Sequence, residues 1–295
     1  LFDHSALPEP LFARPDWWLG CAGDFAYHRC PACGLRYLSP RPSLENIAYY
    51  YPANYAAYRG AIDQERLALM RWKRRRNLLP SVNAIARFFA QPGALLDVGC
   101  ATGNYLAEMR RRGWQVSGVE IQPEAAAYAR DSLNLDVYTG DLLDAPFERA
   151  RFDAITLWDV LEHTHDPLAI LQASRRLLLP GGIVAFSIPN LQSTDAALFG
   201  RHWIGYDAPR HLFLFEDQTI SLLLQRADLQ YLGRDHFLGT YHTWVASLHT
   251  WLNARFPDGA TRQRLIQLAY LPFWAPLTSP FFSWLNRHGR GSVVT

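Results

Sequence analysis

LLDVGCATGNYL, residues 95–106, is the stretch that decides the fold: an apolar run ends in Asp97 and Gly99, turns past Gly103 and enters a helix-forming segment. Glycines at 99 and 103 allow backbone torsions or a close approach that a side chain would block. The helix start that follows leaves backbone N–H groups free beside any ligand lying over the turn. Taken alone, a glycine-rich strand-to-helix turn is shared by ordinary tight turns and by dinucleotide-binding folds, so its neighbours must decide.

Outward from this turn the pattern repeats. ALLDV (94–98) reads as a strand, 104–112 as a helix, WQVSGVE (114–120) as a strand and 123–132 as a helix. LDVYTG (135–140), FDAITLWD (152–159), a helix over 167–178 and GIVAFSIPN (182–190) continue the series. Strands alternating with helices of this length predict a parallel sheet covered on both faces, and right-handed crossovers make it doubly wound. On such sheets ligands bind at the carboxyl ends of the strands, where the strand order reverses.

Acidic residues collect at that edge. Glu120 ends the second strand about 20 residues after the glycines, where a carboxylate can accept hydrogen bonds from ribose hydroxyls. Asp141 follows the third strand and offers an acceptor suited to the amino group of an adenine. A single acid at a strand end is commonly a solvated group or a helix cap; three at successive strands point to a ligand. A dinucleotide needs its pyrophosphate against a G-x-G-x-x-G helix start, whereas here Asp97 precedes Gly99-Cys100-Ala101-Thr102-Gly103. Coulomb attraction favours a cationic ligand there, and S-adenosylmethionine (SAM) carries an ammonium and a sulfonium.

Five segments together, LLDVGCATGNYL, VSGVEIQPEAAAYAR, GDLLDAPF, FDAITLWDVLEHTHDP and LLLPGGIVAFSIPN, resemble the class I SAM-dependent methyltransferases. The resemblance is to their bacterial small-molecule branch, which includes the ubiquinone-biosynthesis O-methyltransferases, and it covers about residues 95–190. It implies an α/β, doubly wound, seven-stranded Rossmann-like sheet. It also implies that Asp97, Gly99 and Gly103 hold the methionine end of SAM, Glu120 the ribose, and Asp141 with Leu142 the adenine. Trp158, Asp159 and Val160 would border the sulfonium, and Cys100, Ala101 and Ile121 complete the cofactor-binding set. Ala101 departs from the third glycine common in the family's loop.

Methyl transfer needs alignment of the acceptor and management of its proton. The candidate bases are His211, in DAPRHLFLF, and His163, in WDVLEHTHDP, with His165 beside it. The bland reading of His163 and Glu162 is that they brace the loop after the fourth strand. Trp203, Tyr206 and Phe213 would wall an apolar pocket or pack a long loop.

The rest of the chain is read as appendages. Residues 1–62 are rich in Pro, Tyr and Trp, as in YYYPANYAAY, and read as a loop-heavy module. Residues 63–90 form a helical linker with a helix stopped at Pro80 and a second short helix after it; 91–295 is the catalytic domain. Cys30-Pro-Ala-Cys33-Gly has the form of half a zinc ribbon; zinc needs two further ligands, so it is expected only if missing upstream ligands are restored, and no metal is assigned. From about 240 to 288 an aromatic-rich insert holds Pro272, Pro276 and Pro280, which predict a packed helical hairpin rather than one helix. Its Trp and Phe content leaves open an interfacial membrane contact, a lid over a hydrophobic substrate or a homodimer surface.

With 29 Lys and Arg against 27 Asp and Glu, the net charge of +2 gives no general attraction to nucleic acid, which is not expected as a partner. Four cysteines are too few for a disulfide framework, and the expectation is a cytoplasmic protein, with the insert leaving a peripheral contact at the inner membrane face open. The reading that follows is SAM-dependent methylation, at oxygen, of a small-molecule, sugar or lipid-linked acceptor. The alternatives are a non-catalytic SAM-binding module that docks a membrane or protein partner and, behind it, an NAD-dependent oxidoreductase.

Overall fold

The computed structural model describes residues 7–51, 60–237, 241–256, 259–271 and 273–295. Most of YYYPANYAAY, together with Pro272, lies outside them. In chain order come strands β1 (Glu9–Arg14), β2 (Phe25–Arg29) and β3 (Arg36–Leu38), helix α1 (Ala68–Ala86), then β4 (Ala94–Val98), α2 (Asn104–Arg111), β5 (Gln115–Glu120), α3 (Pro123–Leu133), β6 (Asp136–Thr139), β7 (Phe152–Trp158), α4 (Pro167–Leu177) and β8 (Leu178–Pro189). After these follow α5 (Thr194–Phe199), β9 (Phe213–Leu214), α6 (Asp217–Arg226), α7 (Tyr241–Arg255), α8 (Gly259–Ala269), α9 (Trp274–Arg287) and β10 (Val293–Val294). The elements form two compact units that interleave along the chain: Tyr51–Leu161 with Asp166–Phe186, and Leu1–Tyr50 with Glu162–His165 and Ser187–Thr295. The boundaries at 62 and 90 therefore mark runs of sequence rather than compact bodies.

In the first unit, β4 pairs in parallel with β5 and β7, and β5 with β6, so Asp97 lies opposite both Gly118 and Thr156. The strand order β8-β7-β4-β5-β6 reverses between β4 and β7, which opens a crevice at their carboxyl ends. Both faces of this sheet are covered, and β4 and β7 are accordingly buried almost throughout. Leu95, Leu106, Met109, Trp114, Val137 and Ala154 form the core beneath that edge. Ala125, Ala126 and Ala129 give α3 a small-residue buried face.

Two expectations for this unit are corrected. Pro80 does not end a helix: α1 runs through it to Ala86. A proline inside a helix costs about 3 kcal/mol, and the burial of Val82, Ala84 and Ile85 on the next turn offsets that cost. The strand expected to start at Gly182 starts at Leu178, directly after α4.

In the second unit the N-terminal residues are not loop-heavy. β1, β2 and β3 form an antiparallel sheet, completed by β9, in which Tyr37 pairs with Phe213. Strands of two to six residues are too short to show a periodicity, although Phe25 and Tyr27 do alternate inward. The end of β8 lies in this unit, where Ile188 and Pro189 pair antiparallel with β10. The central sheet thus has six strands among the described residues, not seven. The missing strand would fall at 229–237, where Asp235 and Thr295 exchange one pair of backbone hydrogen bonds, too little for a strand. The expected helical hairpin is instead three helices, α7, α8 and α9. Among the described residues no helix is long and apolar enough to cross a membrane.

Candidate functional site

The glycine turn lies between β4 and α2. Gly99 has φ +72°, Ala101 φ +48° and Gly103 φ +77°, so three residues of the turn sit in left-handed conformations. A Cβ at Gly99 would fall 2.6 Å from Val160 Cγ2, and one at Gly103 would fall 2.4 Å from Leu135 Cδ1. Gly99 itself is exposed, which leaves its backbone open to a ligand.

Asp97 is buried just ahead of the turn and accepts a 2.6 Å hydrogen bond from Thr156 Oγ1 on β7. Burial pushes its carboxyl up to about 7; the Thr156 bond opposes this and the nearby Glu120 charge adds to it. Glu120 closes the site from the end of β5. Its Oε2 accepts from Ala101 N at 2.7 Å and its Oε1 from Gln122 N at 2.9 Å. Burial raises its pKa too, against those backbone donors. Each carboxylate oxygen keeps a second lone pair, the chemistry a ribose diol needs.

Around these acids, Ile121 is 62% exposed, an apolar platform beside Glu120. Asp141, after β6, accepts from Leu143 N at 2.8 Å through Oδ1. Leu142 is buried, so what it offers a ligand is its backbone. Cys100 turns its side chain into the core, and burial first, then Asp97 and Glu120, raises its pKa and keeps it a thiol. Trp158 meets Tyr105 edge-on with ring centroids 5.7 Å apart. Asp159 is exposed with φ +55°, and Val160 faces Gly99.

Two features were invisible in the sequence. One is that Glu120 ties the glycine turn to β5. The other is Tyr105, whose hydroxyl is buried near Trp158 and Thr156 and whose pKa is raised by burial and by Asp97. Only its place in the first turn of α2 could have signalled it. The donor set fits SAM: acids and no basic side chain among the predicted cofactor residues, an exposed glycine backbone, an apolar residue for the base and a buried hydroxyl beside Asp97. A pyrophosphate would meet Asp97 and Glu120 instead of an anion-binding helix start.

The two predicted bases lie in the other unit. His163 and His211 stand edge to face with ring centroids 4.5 Å apart, and one ligand atom each from Glu162, His163 and His211 falls within 4.8 Å of the others. His163 Nδ1 lies 3.0 Å from Arg210 O, and His211 Nδ1 lies 2.8 Å from Gly205 O. A carbonyl only accepts, so each ring donates to its carbonyl from Nδ1. Desolvation, then His211, holds His163 well below the usual 6.5. His165 is instead bonded to Pro42 O at 2.8 Å. Trp203 and Phe213 are fully buried core residues, and Tyr206 accepts from Arg36 through its hydroxyl.

Arg210, next to His211 in sequence, is fully buried and donates to both oxygens of Asp16 at 2.8 Å. It also donates to both oxygens of Asp207, to Oδ2 at 2.7 Å. Cys30 and Cys33 form a tight knuckle in which Cys30 N donates to Leu35 O and Gly34 N to Cys30 O, both at 2.8 Å. Among the described residues no His, Asp or Glu joins them in a metal-sized group.

The fold is a doubly wound α/β domain whose acidic, glycine-lined sheet edge suits a nucleoside-type cofactor, and comparison with known proteins gives its class. The model of the methyltransferase domain family matches residues 70–233, more than half of the chain. The chain belongs to this family, in its SAM-dependent class. It is 34% identical over 159 residues to the ubiquinone biosynthesis O-methyltransferase of Xanthomonas campestris, a match covering 50% of this chain and 66% of that protein, just under two thirds. The protein of the same description from Cereibacter sphaeroides is 31% identical over 166 residues, 52% of this chain and 67% of that one. Among solved structures, a SAM-dependent methyltransferase from Archaeoglobus fulgidus aligns with TM-score 0.45 and 18% identity, over 60% of this chain and 80% of that one.

Proposed function

We propose that this chain transfers the methyl group of SAM to an oxygen of a small-molecule, sugar or lipid-linked acceptor, within the cytoplasm. The observation that carries the cofactor half is the pairing of Asp97 with the Glu120-clamped glycine turn, an acidic cradle matched to a cation. Oxygen as the acceptor atom is supported by the O-methyltransferase names of the relatives at 31–34% identity. When bound, SAM supplies an electrophilic methyl group on a cationic sulfur. Glu120 would hold the ribose, and the Gly99 backbone with Asp97 would seat the methionine end. Asp141 and Leu142 would hold the base, with Ile121 beside it. Methyl transfer by in-line displacement asks little more than alignment and removal of one proton. We assign that proton to His211, the base the sequence favours.

Calorimetric titration with SAM, S-adenosylhomocysteine and NAD tests the cofactor half, with Glu120→Gln as a variant that keeps the shape of the clamp. Binding of both sulfur compounds, weakened in Glu120→Gln and absent for NAD, is expected; binding of NAD alone overturns the reading. Transfer of labelled methyl from SAM to a panel of small phenols, sugars and lipid-linked sugars tests the acceptor, and labelling of none of them overturns that part of the reading. Turnover lost in His211→Asn with SAM affinity unchanged supports the base, and unchanged turnover removes it.

A further inference from the structure

Helix α9 packs on α7 through Phe282, which sits against Tyr241 and Trp244 with ring centroids 6.1 and 5.7 Å apart, and Leu285 is buried on the same helix. Its exposed apolar residues Trp274, Leu277, Phe281 and Trp284 follow a spacing of three, four and three, which is one helical stripe; Phe281, at the stripe's inner margin, meets Trp244 edge-on with centroids 5.9 Å apart and stays partly exposed. Leu277 is 65% exposed and Trp284 50% exposed. The apolar surface extends along the chain through Leu268, Leu271 and Phe273, all exposed. A soluble monomer rarely leaves a stripe of this kind bare, and Trp with Phe on one face of a short helix suits the boundary between headgroups and acyl chains. At 14 residues α9 is about 21 Å long, enough to lie in that boundary and too short to cross it.

Charge selects the occupant. Residues 241–290 contain Arg255, Arg262, Arg264, Arg287 and Arg290 against one acid, Asp258. Arg287 stands one turn beyond Trp284 on the same helix, and Arg264 is exposed on α8. A second copy of this chain on the same stripe would set these arginines against their own images, whereas an anionic lipid surface complements them. We propose that α9, with the end of α8, is an interfacial anchor for an anionic phospholipid bilayer, with the stripe from Trp274 to Trp284 lying among the headgroups and the arginines on lipid phosphates. This holds whatever the acceptor of the methyl group is.

Co-sedimentation of the purified chain with phosphatidylcholine vesicles, and with vesicles that also contain phosphatidylglycerol, tests the anchor. Binding to the phosphatidylglycerol vesicles at least about tenfold tighter than to phosphatidylcholine is expected, and salt should weaken it. Leu277→Glu should abolish the binding while the thermal unfolding midpoint and SAM affinity stay unchanged. The paired change Arg264→Glu with Arg287→Glu should remove the preference for phosphatidylglycerol, and it serves alone if Leu277→Glu fails to fold. Equal binding to both vesicle types, no binding to either, or wild-type binding by these variants overturns the proposal. So does a dimer seen by sedimentation velocity that Leu277→Glu splits, which would give the stripe to a second copy.

Discussion

Thr156 Oγ1 donates to Asp97 Oδ1 across the β4–β7 pair at 2.6 Å, so a neutral hydroxyl on the neighbouring strand is set against the burial of an acid at the cofactor turn. The opposition is incomplete, and the Asp97 carboxyl is pushed up to about 7. A cationic cofactor binds the ionised form better, so binding should release a proton. SAM affinity is therefore expected to rise with pH up to about 7, by up to about tenfold per unit below it, and to level off above. Calorimetry in buffers of different ionisation enthalpy reads the proton release directly, and Asp97→Asn should flatten the profile. For the free protein the sign is opposite. The folded chain holds a proton that the unfolded chain gives up above the usual 3.8, so stability from this group is lost as pH rises through about 7.

Ala101 occupies a left-handed conformation, φ +48°, between two glycines that do the same. A side chain there costs about 1 kcal/mol that glycine does not. Ala101→Gly should raise the unfolding free energy by about that amount, with a rise of a few degrees in the midpoint of a thermal melt. Gly99→Ala goes the other way: it adds the same torsional cost and drives a Cβ to 2.6 Å from Val160 Cγ2. Its melting point should fall, and its SAM affinity should fall more than that loss of stability explains, because the displaced backbone is the one open to the cofactor.

The central sheet was legible in the sequence because each of its parallel strands is a nearly continuous apolar run followed by a helix, as ALLDV before α2 shows. Chain-local signals of that kind also placed the acids at the strand ends. What the sequence withheld depends on partners far away in the chain. β9 is two residues long and exists because β3, about 175 residues earlier, pairs with it. Pro80 reads as a stop until Ile85 is seen buried beyond it. Asp16 and Arg210 are ordinary surface residue types until their 194-residue separation closes into a buried ion pair.

That pair carries a stability prediction. Arg210 is fully buried between Asp16 and Asp207, and Asp16 also accepts from Trp18 N and Leu19 N at 3.0 Å. Burial alone would raise the Asp16 pKa, but the Arg210 bonds and charge override it and hold it below 3.8. Its stabilisation is therefore present above the usual carboxylate range and lost as pH falls through the lowered value. Arg210→Met leaves two buried carboxylates without their cation and should cost about 3–5 kcal/mol in urea denaturation. Asp16→Asn, which keeps the turn's shape and leaves Arg210 with Asp207, should cost less.

His163 is held neutral by desolvation and by His211, with its pKa well below 6.5, while its Nδ1–H is committed to Arg210 O. The unfolded chain takes up a proton on this ring below 6.5 and the folded chain does not. Stability should therefore fall as pH drops from 6.5 toward the folded value, with a slope of up to about 1.4 kcal/mol per unit. His163→Asn keeps an N–H for the Arg210 carbonyl and removes the titration, so its stability profile should lose that slope. Two-dimensional imidazole spectra check the same point: the His163 ring should stay neutral and Nδ1-protonated at pH 6, where an exposed histidine is mostly charged. A ring that titrates near 6.5 would mean that His163 is solvated rather than buried against His211 and the Arg210 carbonyl.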